Sequence, residues 1–311
     1  MCPVTIVPDS GGVTQGGGYN VSQAEIEALG LAVSVKREEV DMSQDLHFLG
    51  WGGLDIRLGK LPSGDQQGTS IILDWQPGDI RNCSFAPMQG WIGITAEDRT
   101  HGQQVLAINE TLTNLTRVLI RTDYMLRHSF NCTGTKICYT QPSKQTGAAD
   151  LYLYELGTGE SRRLAEAKIA HGSTPVWFPD DARIAYHSPH GQIETLHVVQ
   201  AESEVLAEGS APAVHPDGNR VAFQRDNQLF VINLVDRTTE ALQIKRGWLE
   251  HGLTNSLSWS PDGRYLSFGL VTGLTGKETA FYLLDHVNQK QQKIEVKYLR
   301  GLTVIKRSDV P

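Results

Sequence analysis

The sequence predicts an all-β protein built from repeated four-stranded units that close into a ring, and three observations carry this reading. A proline-aspartate turn recurs along the second half of the chain. The recurrences are spaced by about forty residues, with alternating apolar stretches between them. Thirty-one glycines and thirteen prolines among 311 residues supply the many turns that such a fold needs. A period in the forties with short strands in each unit is the mark of a β-propeller.

Three copies of the turn are well kept: Trp177-Phe178-Pro179-Asp180-Asp181, His215-Pro216-Asp217-Gly218 and Trp259-Ser260-Pro261-Asp262-Gly263. Proline presets φ at the first central position, aspartate bonds nearby backbone, and glycine accepts the left-handed conformation that closes a hairpin. Each turn leads into an alternating strand: Arg183-Ile184-Ala185-Tyr186, Arg220-Val221-Ala222-Phe223 and Arg264-Tyr265-Leu266-Ser267-Phe268. Alternation sends successive side chains to opposite faces of a sheet. Two looser copies lie upstream. Phe85-Ala86-Pro87 precedes Gly90-Trp91-Ile92-Gly93-Ile94, and Phe130-Asn131-Cys132 precedes Gly134-Thr135-Lys136-Ile137-Cys138-Tyr139. The anchors Phe85, Phe130, Trp177, Val214 and Trp259 are separated by 45, 47, 37 and 45 residues.

Six blades follow, at about 40–82, 83–127, 128–172, 173–210, 211–254 and 255–297. The stretches Gly50 to Arg57 and Thr69 to Trp75 are read as strands of the first blade. Asp150 to Glu155, Asn227 to Asn233 and Glu278 to Asp285 are read as third strands. A polar outer strand such as Ser161-Arg162-Arg163-Leu164 then completes a unit. The tail, Gly301 to Arg307, is one more strand, expected to pair back into the first blade and remove an exposed edge. Residues 1–39 form an extension, with glycine runs and a short helix from Ser22 to Leu29 in which Glu25 completes a capping box. This segment is also the source of a closing strand or a seventh blade, should the ring need either.

These turns and strands resemble the TolB-like propeller repeat of the PD40, or WD40-like, kind, closely over 173–297 and more loosely over 83–172. The resemblance implies a binding module that takes a protein or a small ligand through its loop face and central channel. TolB-like propellers often precede a peptidase domain, but no G-x-S-x-G elbow occurs and no room is left for a hydrolase. The chain is read as the propeller part alone.

Composition narrows the classes further. A net charge of −7 argues against a nucleic-acid binder, which needs a basic surface to neutralise phosphates. No run of 18 apolar residues occurs, so no membrane-spanning helix is expected. The amino-terminus lacks the basic and apolar regions of a signal peptide. A cytoplasmic monomer is therefore expected, or a periplasmic or secreted one if a leader has been removed. The four cysteines, Cys2, Cys83, Cys132 and Cys138, form no CxxC pair. Cys132 and Cys138 could bridge across a tight hairpin, but reduced thiols are the simpler expectation. Five N-x-S/T matches, at Asn20, Asn82, Asn109, Asn114 and Asn131, carry little weight without a leader.

Candidate site residues follow from propeller topology. The Pro-Asp-Gly turns emerge on one face. Blade connections and the loops between second and third strands emerge on the other, around the channel mouth. His128, His171 and His251 fall where blades begin, and His101, His187 and His190 fall in second-to-third loops. Arg127 adjoins His128, and Arg57, Arg81, Arg99 and Arg121 lie in the same half of the chain. One reading makes this a ligand face. The alternative is an enzyme, a metal-assisted lyase, hydrolase or cyclase, with a divalent metal on His128, His171 and His251. Propeller-type pectate-oligomer lyases hold metal through histidines at this place, and the likeness to them goes no further. Loops are also simply where polar residues gather. Asp180, Asp217 and Asp262 are read as turn residues, and His215 as a packed or turn-bonding one.

Overall fold

Most strand patterns read from the sequence reappear in the computed structural model, which describes residues 46–61, 69–70, 77–86, 88–144, 147–273, 276, 278–294, 296 and 299–306. Of the stretch Thr69 to Trp75, only Thr69 and Ser70 fall among the described residues. The Ser22–Leu29 helix and the rest of the amino-terminal extension lie outside the described residues. Among the described residues there are only strands and turns, so no helix is long and apolar enough to cross a membrane.

Six four-stranded antiparallel sheets form a six-bladed β-propeller. Blade 2 consists of β4 (Pro77–Ala86), β5 (Trp91–Asp98), β6 (Gln103–Glu110) and β7 (Leu115–Thr122). Blade 3 consists of β8 (His128–Phe130), β9 (Lys136–Pro142), β10 (Ala148–Glu155) and β11 (Glu160–Ala170). Blade 4 follows with β12 (Val176–Trp177), β13 (Arg183–His187), β14 (Gln192–His197) and β15 (Ser203–Glu208). Blade 5 is β16 (Ser210–Val214), β17 (Arg220–Arg225), β18 (Gln228–Asn233) and β19 (Thr239–Leu242). Blade 6 is β20 (Glu250–Trp259), β21 (Tyr265–Thr272), β22 (Glu278–Asp285) and β23 (Lys290–Ile294).

Blade 1 is the composite one. Its own strands are β1 (Leu46–Gly52), β2 (Asp55–Lys60) and β3 (Thr69–Ser70), and its innermost strand is β24 (Gly301–Lys306), the tail of the chain. The β24–β1 ladder runs from Leu46–Lys306 to Trp51–Gly301. The chain thus closes its own ring without leaving an open sheet edge at the seam. Gly50 to Arg57 is a hairpin rather than one strand: β1 turns into β2 through Gly53, whose φ is 57°.

Two blade boundaries shift from the sequence reading. Blade 2 begins at Pro77 instead of residue 83, and blade 6 at Glu250 instead of 255. Both first strands carry β-bulges, in β4 around Ile80 and in β20 between Glu250 and Leu257. A bulge inserts a residue and breaks the period-2 pattern, so the strand's early half does not read as a strand.

Six hydrophobic clusters hold the ring, each lying between two neighbouring blades. Blades 1 and 2 share Leu49, Ile56, Ile80 and Ile94. Blades 2 and 3 share Leu106, Phe130 and Ile137, and blades 3 and 4 share Leu153, Trp177 and Tyr186. Phe178 and Phe223 meet between blades 4 and 5, Leu229 and Phe268 between 5 and 6, and Phe281 and Leu302 between 6 and 1. Each sheet packs against its neighbours on both faces, so the middle strands carry continuous buried runs, such as Ile92 to Ala96 in β5 and Ile193 to Leu196 in β14.

The repeated turn does more than reverse the chain. Four of the turns place a left-handed residue at the same point, four residues after the anchor: Gly134, Asp181, Gly218 and Gly263, with φ between 54° and 74°; in blade 2 the left-handed residue is Gly90, one place later. Asp181 accepts that conformation where glycine stands elsewhere, and its carboxylate reaches across to blade 3. It accepts hydrogen bonds from the Cys132 and Thr133 amides, at 2.7 and 3.3 Å, and from Asn131 Nδ2 at 2.9 Å. Trp177 Nε1 donates to Ser129 O and Trp259 Nε1 to Ala213 O, each tying a blade to the one before it. His215 is packed and turn-bonding, as expected: its Nδ1 accepts from the Asp217 amide and its Nε2 lies 2.9 Å from Gly263 O of the next blade. Asp180, Asp217 and Asp262 each accept from backbone amides of their own turn.

Cys83, Cys132 and Cys138 are free thiols, and burial pushes the Cys138 thiol up to about 12. Asn82, Asn109 and Asn131 are buried and bonded within the fold, so those N-x-S/T matches are structural residues.

Candidate ligand channel

The innermost strands of the six blades surround a central cavity of about 520 Å3. In blades 2 to 6 the innermost strand runs from the blade connection towards its turn, and β24, antiparallel to β1, starts at Gly301 beside Trp51, so the wall has a direction. At the mouth it carries Arg81, Arg127, His171, Ser210, Thr254 and Arg300. At the far end stand Phe85, Phe130, Val214 and Trp259, the repeat anchors read from the sequence. Between them the wall is rich in hydroxyls, including Ser84, Ser129, Ser256 and Ser258. A polar mouth therefore opens onto an apolar floor.

The charge at the mouth is of one sign. Among the described residues, no aspartate or glutamate lines the cavity, although the chain as a whole is acidic. Behind the wall, Asp79 pairs with two of the three arginines, Arg81 at 2.8 Å and Arg300 at 2.7 Å. Arg127 differs. Its side chain is half-buried, and its hydrogen bonds go to neutral carbonyls: Nε to Gly172 O at 3.4 Å and Nη1 to Leu126 O at 3.5 Å. Among the described residues it has no carboxylate partner. Burial, and then the charge of Arg81, hold the Arg127 guanidinium below its ordinary value.

The histidines occupy the elements expected for them but do not converge. His128, His171 and His187 belong to the channel wall, whereas His101, His190 and His251 lie outside it. The His128 imidazole is fully buried against Gly93, where a Cβ would collide with the ring. Burial lowers the pKa of His128 to about 3; a hydrogen bond with the Gly93 backbone opposes the shift, and the Arg127 charge adds to it less strongly. His128 is neutral at every physiological pH. Burial also lowers His187. His101 is held by Asp98 at 2.9 Å, and that carboxylate also binds Arg121. His251 Nε2 lies 3.2 Å from Gly273 O. Among the described residues no three His, Cys, Asp or Glu side chains are grouped to hold a metal ion, so His128, His171 and His251 do not form a three-histidine centre.

Sequence reasoning singled out Arg127 and grouped Arg81 with it, but passed over Arg300 and Asp79. Arg300 immediately precedes β24 as Arg127 immediately precedes β8. That parallel was readable only once the tail was known to be an innermost strand. Of the other arginines, Arg57 is tied to Asp55 at 3.2 Å, and neither Arg57 nor Arg99 borders the cavity.

Comparison with known proteins places the architecture. No family model matches the chain. No curated protein matches it in sequence. Among solved structures it is similar to TolB from Acinetobacter baumannii, with a TM-score of 0.67 and 13% identity over 85% of this chain and 67% of that one. It is similar to a chain of a nidogen/laminin complex, with a TM-score of 0.63 and 12% identity over 83% of this chain and 98% of that one. An oligogalacturonate lyase in complex with manganese aligns with a TM-score of 0.50 and 14% identity, over 69% of this chain and 65% of that one. Identities this low speak to fold. The chain is a TolB-like, six-bladed β-propeller in fold.

Proposed function

We propose that this propeller is a binding module that seats its ligand, a small molecule or a partner's projecting group, over the mouth of the central channel. One observation carries the reading: the six innermost strands enclose a cavity of about 520 Å3 whose charged groups, Arg81, Arg127 and Arg300, gather at one end. Concave sites of this size, with a few convergent polar groups, are where ligands bind. Propellers similar to this one in fold include partners in a protein complex, which is consistent with a binding role. A catalytic reading draws on His171 and His187 in the channel wall, but neither stands in a metal-ligating group among the described residues.

Hydrogen exchange tests the proposal. The purified chain is incubated with the low-molecular-weight and the protein fractions of a cell extract in turn. Protection confined to the blade connections, above all residues 123–127, 171–175 and 243–249, is the expected result. Protection of the Pro-Asp-Gly turns alone, or no protection with either fraction, would overturn it.

A further inference from the structure

We infer that the channel mouth is an oxyanion site with Arg127 as its anchor, taking a small molecule that carries a carboxylate or a phosphate group. The inference rests on the channel being the binding site, and it adds the chemistry of the ligand.

Three guanidiniums reach the mouth from three consecutive blades: Arg300 from blade 1, Arg81 from blade 2 and Arg127 from blade 3. Asp79 serves the first two and leaves the third. A half-buried cation loses hydration and needs an opposite charge or several good hydrogen bonds in return. Arg127 has two long contacts to neutral carbonyls, which do not meet that need. The Arg81 charge adds repulsion to the desolvation. A bound oxyanion removes both costs together. The guanidinium fork matches a carboxylate or phosphate with paired, charge-assisted hydrogen bonds.

The surroundings favour the same class. No described carboxylate on the wall would repel an anion, and low-dielectric walls focus a field of one sign into the cleft. The Arg127 Nε contact sets the guanidinium beside Gly172, and Ser173 and Thr174, which follow in the chain, bring hydroxyl donors to the wall. The cavity admits a small organic anion in full, its remainder running down over the hydroxyl-bearing wall.

The test uses calorimetry on the whole chain with inorganic phosphate and citrate as probes and glucose as the neutral control. At least one anion should bind, with an affinity that falls as sodium chloride is added. Arg127→Gln should weaken that anion about tenfold or more, and Arg127→Lys less, because lysine keeps the charge but loses the fork. Without anion, Arg127→Gln should melt at the same temperature as the parent or above it, since no carboxylate partner is lost. A purely structural arginine would lower it. The inference is overturned if neither anion binds, or if Arg127→Gln binds both as the parent does. If Arg127→Gln leaves anion binding unchanged while a small molecule still protects the blade connections, the oxyanion assignment falls and the binding-module reading stands. If nothing protects those connections, both fall.

Discussion

The two faces of the propeller handle polarity in opposite ways. On the turn face, the carboxylates and rings of the repeat are consumed by the fold: Asp181 clasps blade 3, His215 bonds blade 6, and Trp259 donates to blade 5. At the channel mouth, the polar groups are spent less completely. Arg127 faces two neutral carbonyls, and no described carboxylate lines the wall. A face whose groups satisfy one another contributes stability. A face that holds a charge without a partner gives stability up, which is the common signature of a site kept for something else.

Breaking the turn face should therefore cost most. Trp259 is buried, packs edge-on to His215 at 4.7 Å and His286 at 5.1 Å between ring centroids, and donates across to blade 5. Trp259→Ala should destabilise the chain by roughly 3–5 kcal/mol in urea unfolding, the usual cost of truncating a large buried aromatic.

Acid should come next. The folded pKa of His128 lies at about 3, below the unfolded value near 6.5, so the unfolded chain binds the extra proton first. The stabilisation from keeping it neutral is complete above pH ~6.5 and is lost as pH falls towards 3, at up to about 1.4 kcal/mol per pH unit. His187 and His215 are lowered too and act in the same sense. Urea midpoints across this window should fall more shallowly for His128→Leu than for the parent; equal slopes would refute the assignment.

Asp181→Ala removes the acceptor of four described donors in blade 3, the Thr133 hydroxyl among them, and should cost about 1–3 kcal/mol. Asp181→Asn keeps one oxygen and should recover part of it, as read from thermal melting. Arg127→Gln is the smallest effect and the most telling, since the mouth face should lose nothing. Its unliganded stability should be unchanged or raised by up to about 1 kcal/mol. A loss comparable to that of Asp181→Ala would erase the contrast between the faces.

Much of the ring was legible because a turn is local chemistry. Pro179-Asp180-Asp181, Pro216-Asp217-Gly218 and Pro261-Asp262-Gly263 lie within a few residues of the strands they join, so their spacing announces the blades. The first strands of blades 2 and 6 were misplaced at their starts, because bulges near Ile80 and Leu253 erase the alternation that defines a strand in sequence. The candidate site was legible in part. The rule that blade connections border the channel pointed to Arg127, His128, His171 and His187, and it also pointed to His101, His190 and His251, which the cavity does not reach.

What the sequence determined by itself was the repeat: its turns, the identity of its third strands and the need for a closing strand, all set by patterns a few residues long. Only the tertiary structure decided that the tail becomes the innermost strand of blade 1, which brings Arg300 to Asp79 across 221 residues of chain. Only it decided which charges go unpaired. Pairing depends on distances between blades, and no local pattern carries a distance of that kind. The basic mouth of the channel, in a chain that is acidic overall, exists only once the ring is closed.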